Sequence, residues 1–186
     1  MIGQLNFKIF WILVLIVAAC TKPKEEATSG NDNEVYTTFE AVFIDSLGTE
    51  PSKTFVFRDL DGVGGNLPTK FDTIKLTANR VYYLNIKVLN ESVNPVDTIS
   101  NEIRNEGNVH QFFYSVSGSY VSTEYLDSDT NSPSLPIGLY SKWTMGNSAE
   151  SLFARFVLKH YQNGSKNGIA NNGTTDIDIS FPMLIQ

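Results

Sequence analysis

The chain has 186 residues, 41% hydrophobic and 12% aromatic, with one cysteine and a formal charge of −6. Fourteen Lys and Arg against twenty Asp and Glu argue against a nucleic-acid partner, whose phosphates need clustered cations. A single cysteine excludes an internal disulfide, and its place near the N-terminus leaves no cysteine nucleophile in the body of the chain.

In chain order, Lys8 precedes Ile9 to Ala19, an apolar run of eleven residues. That is too short for a membrane-spanning helix, which needs ~20, and suits the hydrophobic region of a secretory signal. The run ends in Val17-Ala18-Ala19-Cys20, which resembles a bacterial lipobox. Residues 1–19 are therefore expected to be a lipoprotein signal peptide and Cys20 the lipidated residue, tying the chain to a membrane. Loss of residues 1–19, which carry Lys8 and no acid, takes the charge from −6 to −7. Solubility accounts for such a balance, which is also compatible with cation binding. Residues 20–34 carry no apolar side chain larger than alanine after Cys20 and read as a flexible tether. Within them Lys24-Glu25-Glu26 resembles the surface-display signal of Bacteroidetes lipoproteins, a little further from the cysteine than usual. Either face of the outer membrane fits.

Residues 35–186 are expected to form one domain, since about 150 residues can bury an ordinary core. VYTTFEAVFI, KTFVFRDL, FDTIKL, VYYLNIKVL, FFYSVSG, YVSTEYL, LYSKWTM, LFARFVLKHY and TDIDISFPMLI are short, rich in β-branched and aromatic residues, and separated by Gly, Asn, Asp and Pro. That pattern predicts an all-β antiparallel sandwich, immunoglobulin-like or jelly-roll-like. In the last segment alternation places Ile177, Ile179 and Phe181 on one face and Asp176, Asp178 and Ser180 on the other. Pro182 places that end at a sheet edge. DTISNEIRNEG, residues 97–107, predicts one short central helical turn capped by Asp97 or Thr98. A shift of 68 residues superposes Phe57, Asp59, Asp61, Leu67 and Pro68 on Tyr125, Asp127, Asp129, Leu135 and Pro136. Two related β units packed face to face are the expectation.

Candidate sites are few. RDLDGVGGN, residues 58–66, lacks G-x-G-x-x-G and leads into a strand, so it is no phosphate loop. Asp59 and Asp61, and in the second corner Asp127 and Asp129, could contribute to a divalent-cation site. The EF-hand pattern fails because Val63 and Lys70 stand where oxygen ligands belong. Otherwise these are β-corners in which Asp accepts local N–H bonds and Gly supplies positive φ. His110 and His160, the only histidines, share faces with apolar residues. They are hydrogen-bonded core residues or, with Glu106 or the Asp corners nearby, ligands of a transition metal. Trp143, Tyr140 and Tyr120 line a binding surface or fill the core. No G-x-S-x-G elbow or other catalytic constellation occurs, and no enzyme is expected.

FRDLDGVGGNLP, DTISNEI, EGNVHQFFY, YLDSDTNSPSLPIGL, VLKHY and TDIDISFPMLI, in that order, resemble a family of Bacteroidetes lipoproteins labelled "type 1 periplasmic binding fold superfamily". The family pattern commonly has an acid before the first histidine and Arg before the second. Val109 and Lys159 stand there in this chain. The resemblance implies a cell-envelope lipoprotein often encoded beside a TonB-dependent outer-membrane receptor, and hence an accessory binding module for nutrient or metal uptake. The alternative is a structural or adhesive surface protein with no small ligand. Convergence of the histidines with the Asp corners would favour the first.

Overall fold

The computed structural model describes residues 35–62, 65–147, 149–162 and 166–186. The expected signal peptide, Cys20 and the expected tether lie outside the described residues. Among the described residues ten strands form: β1 (Thr38–Asp45), β2 (Lys53–Arg58), β3 (Lys70–Phe71), β4 (Ile74–Leu76), β5 (Val81–Leu89), β6 (His110–Val116), β7 (Val121–Tyr125), β8 (Tyr140–Met145), β9 (Glu150–His160) and β10 (Thr174–Ile185). They build a six-stranded sheet, β3-β2-β1-β5-β8-β7, and a four-stranded sheet, β4-β10-β9-β6. Every pair is antiparallel except β4 with β10. The all-β sandwich expected from the alternation is the fold.

Period-two alternation fills the space between the sheets. Phe39, Ala41 and Phe43 of β1, Tyr82, Leu84, Ile86 and Val88 of β5, and Ala154, Phe156 and Leu158 of β9 are all buried, as are Ile177, Ile179 and Phe181 of β10. Trp143 belongs to this core rather than to a binding surface. It is fully buried, and its indole N–H donates to Ser141 Oγ at 3.0 Å. Tyr120 is exposed, and Tyr140 is half-buried and stacks on Tyr83. The helical turn forms as α1 (Ile99–Asn105), with Ile99 and Ile103 in the core. Thr98 occupies its N-cap without a side-chain hydrogen bond.

Three expectations are corrected. FDTIKL is not one strand: β3 belongs to the larger sheet and β4 to the smaller, with Asp72 and Thr73 carrying the chain across. Asp72 fixes the crossing by exchanging bonds with Val56, donating its N–H to the Val56 carbonyl at 3.0 Å and accepting the Val56 N–H on Oδ2 at 2.9 Å. The end of β10 is not a sheet edge, because its last three residues lie between β4 and β9, but Pro182 itself has a strand partner only in β9. It stands one residue before the three-residue β4 begins to pair at Met183. The sheets also do not divide along the two halves of the chain. β7 and β8 extend the larger sheet, while β6, β9 and β10 make up the smaller with β4. The connection 117–120 crosses between sheets where the corresponding β1–β2 connection is a hairpin. The pairing of β1 with β5 does have its counterpart in β6 with β9.

β6 is an outer strand, and an uncovered strand edge invites unwanted pairing. The segment 126–139 covers it. Phe112 donates its N–H to the Ile137 carbonyl at 2.7 Å, Tyr125 donates its hydroxyl to the Phe112 carbonyl at 2.8 Å, and the Tyr114 hydroxyl bonds the Gly138 carbonyl. Gly138 has φ +84°, and a Cβ there would lie 2.8 Å from Phe112 Cβ and 2.9 Å from its carbonyl oxygen. Gly138→Ala should therefore cost about 1–3 kcal/mol, through backbone strain and lost contact with β6. Urea unfolding checks it; an unchanged midpoint contradicts the account.

Asp45 ends β1 and holds the following turn. Its carboxylate accepts the Thr49 hydroxyl at 2.8 Å, the N–H groups of Thr49, Glu50 and Leu47, and the Arg80 guanidinium at 3.0 Å. The Thr49 hydroxyl bond is the largest influence. With the backbone N–H bonds it outweighs burial and lowers the pKa to about 2. A carboxyl depressed in the folded state binds fewer protons than in the unfolded chain, so its stabilisation is present above about pH 4 and lost as pH falls towards 2. Melting curves from pH 6 to 2 should show that loss in the wild type and a smaller one in Asp45→Asn.

Candidate metal centre

Cross-strand register brings the two histidines together. His110, the first residue of β6, pairs with His160, the last of β9. Both point inward by the alternation that buries Phe112 and Leu158. Their ring centroids are 4.6 Å apart. The third member comes from β10, where Thr175 faces Lys159 and Ile177 faces Leu158, so Asp176 is an extra residue in a bulge. A bulge re-aims a side chain. Asp176 therefore leaves the outward face that strict alternation assigns it and points at the imidazoles. Gly173, at φ +76°, lets the start of β10 lie against His160: a Cβ there would fall 2.5 Å from the His160 carbonyl oxygen.

Asp176 Oδ2 lies 3.9 Å from His110 Nε2 and 3.9 Å from His160 Nδ1. Ligand atoms of all three residues lie within 4.8 Å of one another. Glu106, just beyond α1, places Oε2 3.9 Å from His110 Nδ1. The side chains of His110 and Asp176 are fully buried, and that of His160 is 24% exposed. Both Asp176 oxygens and His160 Nδ1 are buried without a hydrogen-bond partner among the described residues. A buried carboxylate in that condition is costly. Burial, only partly offset by the charges of His160 and Lys159, pushes the Asp176 carboxyl up to about 6. Burial, the neighbouring His160 and Lys166 push His110 down to about 4, against a hydrogen bond to the Glu106 backbone.

Two imidazole nitrogens and a carboxylate oxygen are the donors of a borderline divalent ion such as zinc, copper, nickel or ferrous iron. Calcium and magnesium prefer oxygen alone. With bonds of about 2.0–2.1 Å a tetrahedral site has ligand edges of about 3.4 Å, so the 3.9 Å separations must close by about half an ångström. The widest separation in the group, up to 4.8 Å, must close by up to about 1.4 Å.

The aspartate corners do not join the histidines. Among the described residues, His110, His160 and Asp176 are the only such group of three or more His, Cys, Asp or Glu. In the first corner Asp61 Oδ2 accepts the Asn66 N–H at 2.9 Å and its amide at 2.6 Å, and Gly62 has φ +75°. The Asn66 N–H also lowers the Asp61 pKa. Asp59 is nearly buried and its Oδ1 has no partner among the described residues. In the second corner Asp127 accepts the N–H groups of Gly138, Leu139 and Tyr140 at 2.8–3.0 Å. Asp129 accepts those of Asn131 and Leu135 and pairs with Lys166 at 2.8 Å, with both side chains fully buried. Burial raises the Asp129 pKa, but the Lys166 bond and the two N–H groups outweigh it and leave it lowered. Lys166 also donates to the Gly107 carbonyl at 2.7 Å. The second corner is thus a clamp holding 126–139 against β6 and the end of α1.

Comparison of the chain with protein-family models, with curated proteins and with solved structures finds no match.

Proposed function

We propose that this chain is a lipid-anchored cell-envelope protein whose β-sandwich binds a divalent transition-metal ion through His110, His160 and Asp176. The observation that supports this most is the Asp176 bulge, which directs a buried carboxylate with no hydrogen-bond partner among the described residues at a pair of histidines. The lipobox-like end at Cys20 supports membrane attachment, and the family resemblance supports a role beside a TonB-dependent receptor in metal or nutrient uptake. The histidines do not meet the Asp corners, so the convergence that would have favoured binding is not the one found; Asp176, which takes the place of the corners beside the histidines, is what favours binding over the adhesive alternative. The separate, internally bonded Asp corners favour neither.

The test uses the full-length chain in detergent, stripped with chelator and titrated with zinc. One equivalent should bind to the wild type, and affinity should fall at least 100-fold in Asp176→Ala. Cys20→Ser should move the protein from the membrane to the soluble fraction of the cells that produce it. Failure to bind zinc, copper, nickel or ferrous iron would overturn the metal reading; unchanged membrane attachment in Cys20→Ser would overturn the anchor.

A further inference from the structure

We infer that the ion held by His110, His160 and Asp176 is exchangeable, its coordination completed by a nitrogen or oxygen donor from outside the chain that enters past His160. This rests on the metal reading above. Structural zinc sites close four protein ligands around the ion, whereas sites that exchange ligands keep a position for an outside donor. Among the described residues the group contains three ligand side chains. Glu106 lies beside the other ring nitrogen of His110, Nδ1, not Nε2. That places its carboxylate behind the ligand, where an acid orients an imidazole.

Access is one-sided. The side chains of His110 and Asp176 are fully buried, while that of His160 is 24% exposed. His160 ends β9 and His110 begins β6, so the group sits at one end of the sandwich rather than at its centre. Of the three ligand side chains only that of His160 reaches the surface, so a donor from solvent approaches along it. The fold has no need of the ion as a staple: a continuous hydrophobic cluster runs from Phe39 and Phe43 through Phe156 to Ile185, and a domain of about 150 residues stabilises itself by such burial. An ion that does not hold the fold together, reached from the His160 side and bound among the described residues by three side chains, is suited to being taken up and passed on.

Cobalt(II) tests this, because its visible spectrum reports both coordination number and ligand change. The full-length chain in detergent should bind one equivalent of cobalt. Added imidazole should shift the spectrum, and EDTA should remove the ion within minutes while the far-ultraviolet circular dichroism stays unchanged. Glu106→Gln should still bind cobalt, about 10-fold more weakly, and still respond to imidazole. Cobalt that binds but ignores imidazole and leaves only on unfolding would overturn the exchangeable site and leave the metal reading standing. No cobalt binding in the wild type would overturn both.

Discussion

In the metal-free protein at pH 7, Asp176→Asn should raise stability by about 2–3 kcal/mol while abolishing the stabilisation that zinc gives the wild type. The two effects have opposite signs because one carboxylate serves two states. Its pKa is raised from 3.8 to about 6, and each unit is worth about 1.4 kcal/mol. A carboxyl raised in the folded state binds more protons than in the unfolded chain, so its contribution favours folding below about pH 4 and is lost as pH rises to 6. Asparagine removes the buried charge and with it the penalty at neutral pH. Zinc at 100 times its dissociation constant stabilises the native state by about 2.7 kcal/mol, or roughly 5–10 °C in Tm for a domain of this size. Only the wild type should show that rise. His110, depressed from 6.5 to about 4, works in the other sense: its contribution is complete above pH 6.5 and falls away as pH drops to 4. In the metal-free wild type the two slopes offset each other between pH 4 and 6. In Asp176→Asn only the histidine slope remains, so stability should fall on acidification from 6.5 to 4. Thermal melts of both chains, with EDTA and with zinc, measure all of this. A destabilised metal-free Asp176→Asn would contradict the account.

The second large effect lies in the core. Phe156 is fully buried, and its ring lies 5.2 Å from Phe39, 5.7 Å from Trp143, 5.8 Å from Tyr114 and 5.9 Å from Phe181. Phe39 and Trp143 belong to the larger sheet, Tyr114 and Phe181 to the smaller. One side chain thus joins the two layers. Phe156→Ala removes the ring from all four neighbours, and the surrounding rings cannot collapse into the space without leaving their strands. The expected loss is about 3–5 kcal/mol, or roughly 6–20 °C in Tm. Phe156→Leu, which keeps most of the volume, should lose less and still bind zinc. Chemical unfolding gives the first number and titration the second. A loss below 1 kcal/mol for the alanine variant would mean the sheets do not depend on this contact.

Much of the fold is legible in the residues because burial on one face of a strand leaves a period of two. Val81 to Leu89 reads directly as β5, and Ile99 and Ile103, four apart, mark α1. The pattern says less about where one strand ends and another sheet begins. In FDTIKL the adjacent polar residues Asp72 and Thr73 interrupt the alternation between Phe71 and Ile74, and there the chain moves between layers, held by a side-chain bond to Val56 that no local pattern records. The halves share spacing, but spacing does not specify the partners of β7 and β8. At the candidate metal centre both histidines stand out by type and by their place at strand ends. Asp176 does not, because alternation puts it with Asp178, which does face outward and pairs with Arg155. Gly173, two residues before the Thr175–Asp176 step, was the available hint of irregular backbone.

The bulge has a consequence for how such a site arises and disappears. Thr175 and Ile177 already face consecutive residues of β9, Lys159 and Leu158. Deleting Asp176 would therefore restore an unbroken ladder, keep every core residue of β10 in place, and leave two histidines with no acid between them. A single in-frame codon separates a sandwich with the proposed three-residue metal site from one with two histidines alone. Lineages carrying this fold could gain or lose the site in one step, with the architecture left intact for selection to work on.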